Sequence, residues 1–124
     1  MSLHTELLDY VERAHEGALL APARLSQDAL NLVLRNGVVL TVRYAAPDAY
    51  SLRWRTSADI DGVELGIDTA PVHPQLETTP NHLHRADGSV AADPLTDPRR
   101  SPQENLARVI DALGRDPQLA DFGT

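Results

Sequence analysis

Lysine and cysteine are both missing from this chain of 124 residues. Without cysteine there are no disulfides, no thiolate nucleophile, and no cysteine-ligated zinc or iron–sulfur site. Without lysine, all eleven basic residues are arginine. GC-rich codon usage is enough to explain that bias, yet it leaves every cation able to hold a carboxylate or phosphate through two parallel hydrogen bonds. Positive charge is scarce overall: 18 acids give a formal net charge of −7. That balance argues against an unaided, non-specific grip on nucleic acid, which relies on neutralising phosphates. It favours a basic partner, or a site whose local field opposes the global one. No apolar run approaches the roughly 20 residues of a membrane span. The opening MSLHTELLDYVERAHEGALL carries acids and no basic n-region, so it does not read as a signal peptide, and a cytoplasmic location is the simplest expectation.

A hydrophobic share of 42% is ordinary for a globular chain. The length predicts one domain over 1–124, large enough to bury roughly two-thirds of its unfolded surface. Leu3, Leu7, Tyr10, Val11 and Ala14 recur at helical spacing and predict a helix over 3–16, capped by Ser2 and ended by Gly17. His4 and His15 lie on it and read as ordinary surface or boundary side chains. In DALNLVLRNGVVLTVRY, two apolar-rich runs flank Asn36-Gly37, which predicts a hairpin with a two-residue type I′ turn. AYSLRWRT and VELGID alternate next, placing Tyr50, Leu52, Trp54, Val63, Leu65 and Ile67 on one face. A short strand is expected near 89–91. Ser101 and Glu104 form a capping box around Pro102 and open a helix over 102–113, closed by Gly114. The expected fold is α+β: an antiparallel sheet of four to five strands, with the N- and C-terminal helices packed on one face.

The same alternation sends Arg43, Arg53, Arg55, Glu64 and Asp68 to the opposite face. Directly after Asp68 comes TAPVHPQLETTPNHLH, where Pro71, Pro74 and Pro80 exclude a helix interior. Three of the five histidines, His73, His82 and His84, stand in this segment, with Glu77 among them. If extended, His82-x-His84 presents both imidazoles on one side. Three readings are open. The first is acid–base catalysis on RNA, with arginine stabilising the phosphorane; imidazole suits it because an ordinary pKa of about 6.5 leaves both protonation forms accessible. The second is a metal site, since three imidazoles with an open position suit zinc. The third is a structural cluster that holds a proline-rich loop. H-x-H spacing does not choose among them.

YSLRW, LGIDTAPVHP, ETTPNHLH and DGSV together resemble the TumE family, the toxin components of two-gene toxin–antitoxin systems. The likeness runs from about Asn36 to Val90 and is most specific over Asp68, Ala70, Pro71, His73, Pro74, Glu77, Pro80, His82 and His84. It implies a growth-inhibiting, RNA-cleaving toxin neutralised by a cognate DNA-binding antitoxin encoded beside it. It places Asp68, His73, His82 and His84 at motif positions. Arg43, Arg53 and Arg55 come from the strand pattern as candidate phosphate binders. Relative to the family pattern, Val72 replaces one of a histidine pair, and PNHLH, with Asn81 and Leu83, replaces a richer PHHKH.

The expectation is therefore a metal-independent ribonuclease without a cofactor, acting on RNA, with no membrane partner and a homodimer left open. His82 and His84 would be acid and base, His73 alternate or orienting, and Asp68 would orient an imidazole. The rivals are a metal-binding hydrolase on the same histidines and a non-catalytic interaction module whose polar sheet face meets a basic partner.

Overall fold

Period-two alternation in the middle of the chain and period-3.6 stripes at its two ends dictate the layers. In the computed structural model, which describes residues 2–59, 61–69 and 81–120, α1 spans Leu3–Ala14 and is followed by a single 3-10 turn at Glu16–Ala18. The strands are β1 (Arg24–Ser26), β2 (Ala29–Val33), β3 (Val39–Ala46), β4 (Ala49–Arg55), β5 (Glu64–Asp68), β6 (His82–His84) and β7 (Val90–Ala92), and α2 closes the chain at Pro102–Arg115. All seven strands form one sheet in chain order, every neighbouring pair antiparallel.

Seven strands replace the four to five expected. β1 is three exposed residues with no apolar alternation, so it carries no sequence signature. It forms because Leu25 and its neighbours pair with Leu30 and Ala29 across a tight turn. β6 was masked by the prolines before it; its central Leu83 is fully buried, which turns His82 and His84 to the other face.

The β2–β3 connection also differs from expectation. It is a three-residue loop in which Gly37 alone of the Asn-Gly pair takes a positive φ, 91°. The Gly37 amide donates to the Leu34 carbonyl, and the Leu34 amide donates to the Val38 carbonyl. This is a type I turn with a glycine bulge, one of the alternatives to type I′ that Asn-Gly serves. Asn36 instead spends its side chain: Oδ1 accepts from the Val38 amide, and Nδ2 donates to Leu113 O at the end of α2, 2.8 Å. The β6–β7 hairpin repeats the design. Gly88 has φ 88°, and Asp87 Oδ1 accepts from the Ser89 amide at 2.9 Å.

Inward-facing Leu30, Leu32, Leu40, Val42, Tyr44, Tyr50, Leu52, Trp54, Leu65, Ile67 and Leu83 share one core with Leu7 and Val11 of α1 and with Leu106, Val109, Ile110 and Leu113 of α2. Each such aliphatic side chain contributes about 1.5–3 kcal/mol on burial. The caps fall where expected. Ser2 Oγ accepts from the Thr5 amide and Ser101 Oγ from the Glu104 amide, each at 3.1 Å, with Pro102 opening α2. The α1 helix ends two residues early, at Ala14, with His15 as its C-cap. The helical histidines have structural tasks after all: His4 Nε2 accepts from the Tyr44 amide at 3.0 Å, and His15 Nε2 lies 3.1 Å from Tyr10 Oη. Trp54 Nε1 donates to Pro117 O at 2.8 Å, tying the chain after α2 to the sheet. No helix among the described residues is long and apolar enough to cross a membrane.

Candidate functional site

The strand register lays two adjacent rows across the outer face of the sheet. One runs Arg43, Ser51, Asp68, His82, Ala92; the other runs Thr41, Arg53, Gly66, His84, Val90. Asp68 therefore sits directly opposite His82 and diagonal to His84, within reach of both rings.

Both contacts are made. Asp68 Oδ1 lies 2.9 Å from His82 Nε2, and Asp68 Oδ2 lies 3.0 Å from His84 Nε2. The rings meet edge to face with centroids 4.8 Å apart. One carboxylate thus spans two imidazoles. An ionised carboxylate only accepts hydrogen bonds, so a His84 that donates from Nε2 to Asp68 has, in its neutral form, its lone pair on Nδ1. Exposure separates the two rings: the His82 side chain is 1% exposed and that of His84 is 33%, with Asp68 at 16%. Of this pair, His84 is the ring a solute reaches. The three donor atoms lie within 4.8 Å of one another, close enough to share a cation.

The arginines of the outer face have different engagements. Arg53 pairs with Glu64 at 3.3 Å, and both remain half exposed. Gly66 stands between Arg53 and His84. A Cβ there would come within 3.3 Å of Arg53 Cγ, so the missing side chain leaves room for the Arg53 stem beside β5. Arg43 approaches Asp28 at only 3.8 Å and lines an open groove of about 510 Å³ together with Tyr50, Ser51, Asp68 and Thr69. Arg55 is committed inward, donating to Gly62 O at 2.7 Å and Asp59 O at 3.4 Å, which makes it a clasp for the turn before β5. His73 and Glu77 lie outside the described residues.

A buried polar network stands behind β6. Asn81, the residue before His82, donates from Nδ2 to Asp93 Oδ2 and to Thr96 O, both at 2.9 Å. Asp93 Oδ1 accepts the amides of Leu95 and Thr96, its Oδ2 accepts from Thr96 Oγ1, and Thr96 Oγ1 is 2.7 Å from Tyr50 Oη. This network anchors the start of β6 to β4 and to the loop after β7. The Asp93-Pro94 pair ahead of Thr96 is the turn signature that could have revealed it. Asn81 and Leu83, the departures from PHHKH, are thus both buried: one joins this network and the other the core. Burial raises the pKa of Tyr50 to about 12 and pushes Tyr44 higher still, with the neighbouring phenol adding to the rise at Tyr44.

An antiparallel α+β fold with an Asp–His–His cluster on its polar face defines a small protein equipped for acid–base chemistry or cation binding. The chain belongs to the TumE family: the model described as Toxin TumE matches residues 6–115, which include every strand, all of α2 and most of α1. No curated protein and no solved structure matches it.

Proposed function

We propose that the protein is the toxin of a toxin–antitoxin pair and acts as a metal-independent ribonuclease. The observation that carries the chemistry is the single carboxylate of Asp68 holding both His82 and His84 by Nε2. In that arrangement Nδ1 is the basic nitrogen of a neutral His84, the one that would take the proton of an RNA 2′-hydroxyl as a general base. Asp68 orients the ring and stabilises the imidazolium that forms. His82, closed to solvent, is a positioning residue that fixes the other carboxylate oxygen. His73, outside the described residues, is the candidate acid for the leaving 5′ oxygen. Arg53 and Arg43 flank the cluster as phosphate binders, supplying local positive charge on an acidic protein. Arg55, bound to carbonyls, contributes through the turn it holds rather than through RNA. The partner is a cognate antitoxin.

The test is induced expression in a bacterial host. Wild-type protein should arrest growth, His84→Ala should not, and co-expression of a neighbouring antitoxin gene should restore growth to the wild type. Equal arrest by a soluble His84→Ala protein would remove the assignment.

A further inference from the structure

We propose that the Asp68–His82–His84 cluster is also a transition-metal site, and that a zinc-class divalent ion bound there switches the ribonuclease site off. Two observations carry the binding. First, three donors of the types that suit zinc, two imidazole nitrogens and one carboxylate oxygen, lie within 4.8 Å of one another. Second, each Nε2 lies 2.9 or 3.0 Å from one oxygen of the Asp68 carboxylate, so side-chain rotation has only to bring donors now within 4.8 Å to within the roughly 4 Å that two bonds of about 2.0–2.1 Å span. The backbone is fixed, since Asp68 and His82 are register partners on paired strands and Ile67 and Leu83 beside them are fully buried, so the adjustment falls to the side chains. Among the described residues three donors would fill three positions around the ion, and the partial exposure of His84 and Asp68 supplies the entry route.

The consequence follows from the tautomer. Without metal, a neutral His84 that donates from Nε2 to Asp68 has its basic lone pair on Nδ1. A metal on Nε2 needs a lone pair at that nitrogen, so the proton of a neutral ring moves to Nδ1. The count of protons is unchanged, but His84 is now a donor where catalysis requires an acceptor. Binding stands on the donor geometry alone; the inhibition rests on the ribonuclease reading above.

The experiment titrates cobalt(II) into the full chain after chelator treatment and follows visible ligand-field absorption, with zinc competition as the second readout. The expected result is saturation at one equivalent, displacement by zinc, and affinity at least about 100-fold weaker in His84→Ala and in Asp68→Asn, beyond the 10–100-fold lost when only an outer partner of a ligand is removed. His15→Ala, away from the cluster, should bind as wild type. Absence of one-equivalent binding, or unchanged affinity in both cluster variants, overturns the site. Zinc should also abolish RNA cleavage by the wild type. If zinc binds but cleavage persists undiminished, the switch is overturned. If the chelated protein shows no cleavage at all, the ribonuclease reading fails while the metal titration still decides the site.

Discussion

Asp68 and His84 meet at 3.0 Å, Oδ2 to Nε2, along a diagonal between β5 and β6, while the other oxygen of the same carboxylate holds His82 at 2.9 Å. In the proposed mechanism Asp68 is the acceptor that orients His84, so changing that acceptor would change which nitrogen carries the proton. Asp68→Asn offers an amide that can donate as well as accept, so it should permit the wrong tautomer. RNA cleavage should fall by on the order of 10²- to 10⁴-fold with little change in melting temperature. A steady-state cleavage assay beside a thermal melt checks this; a variant that cleaves normally contradicts it.

Removing Asp93 tests the network behind β6. Asp93→Ala removes the acceptor of the Leu95 and Thr96 amides, and one of the partners of both the Asn81 amide and the Thr96 hydroxyl, in a buried site. The loss should be about 2–4 kcal/mol by urea denaturation, at the upper end of single-site effects. Emission from Trp54, the single tryptophan and 1% exposed, reports the transition directly. A loss below about 0.5 kcal/mol, ordinary for a surface site, contradicts the network's role.

Gly88 allows a smaller perturbation of the same strand. With φ 88° and open space around its Cβ position, Gly88→Ala meets backbone strain and no clash. It should destabilise by about 1–2 kcal/mol, the cost of a left-handed L-residue. The corresponding change at Gly17, where no positive φ is required, should be near neutral or slightly stabilising. Matched melts of the two variants decide it.

Alkaline stability follows from the tyrosines. Burial raises Tyr50 from 10.0 to about 12 and raises Tyr44 as well, so the folded state holds these protons more tightly than the unfolded state. Their contribution is fully present below pH 10 and is lost as pH rises toward 12 and beyond. Tyrosinate absorbance and unfolding should appear together above about pH 10. In Tyr50→Phe the alkaline loss should be shallower. Early ionisation of both buried phenols without unfolding contradicts the assignment.

Much of this was legible from residue types. Alternation in Ala49–Arg55 and Glu64–Asp68 placed Leu52, Trp54, Leu65 and Ile67 inside, and the outer-face residues on the other side. The caps at Ser2 and Ser101 followed from hydroxyls ahead of apolar stripes. What escaped has physical reasons. β1 gains its structure from pairing with β2 and has no buried side chain of its own to write into the pattern. The loop at Asn36-Gly37 is decided by whether one or two residues take positive φ, a choice that the dipeptide leaves open. Asn81, Asp93 and Thr96 are separated along the chain and meet through tertiary packing, so each reads alone as loop polarity. The pairing of Asp68 with two histidines needed the β5–β6 register, which the intervening prolines concealed. Exposure also split roles that spacing had made equal: His84 reaches solvent and His82 does not.

The proposed chemistry is metal-free acid–base cleavage of RNA by His84, with Asp68 beside it. Its most direct test is incubation of end-labelled RNA with purified protein in excess EDTA, beside His84→Ala protein shown to fold by its Trp54 emission. The account predicts cleavage by the wild type alone, with cyclic-phosphate ends and a rate at least about 10²-fold above the variant. Equal cleavage by the two proteins, or cleavage by the wild type only when a divalent ion is restored, would contradict it.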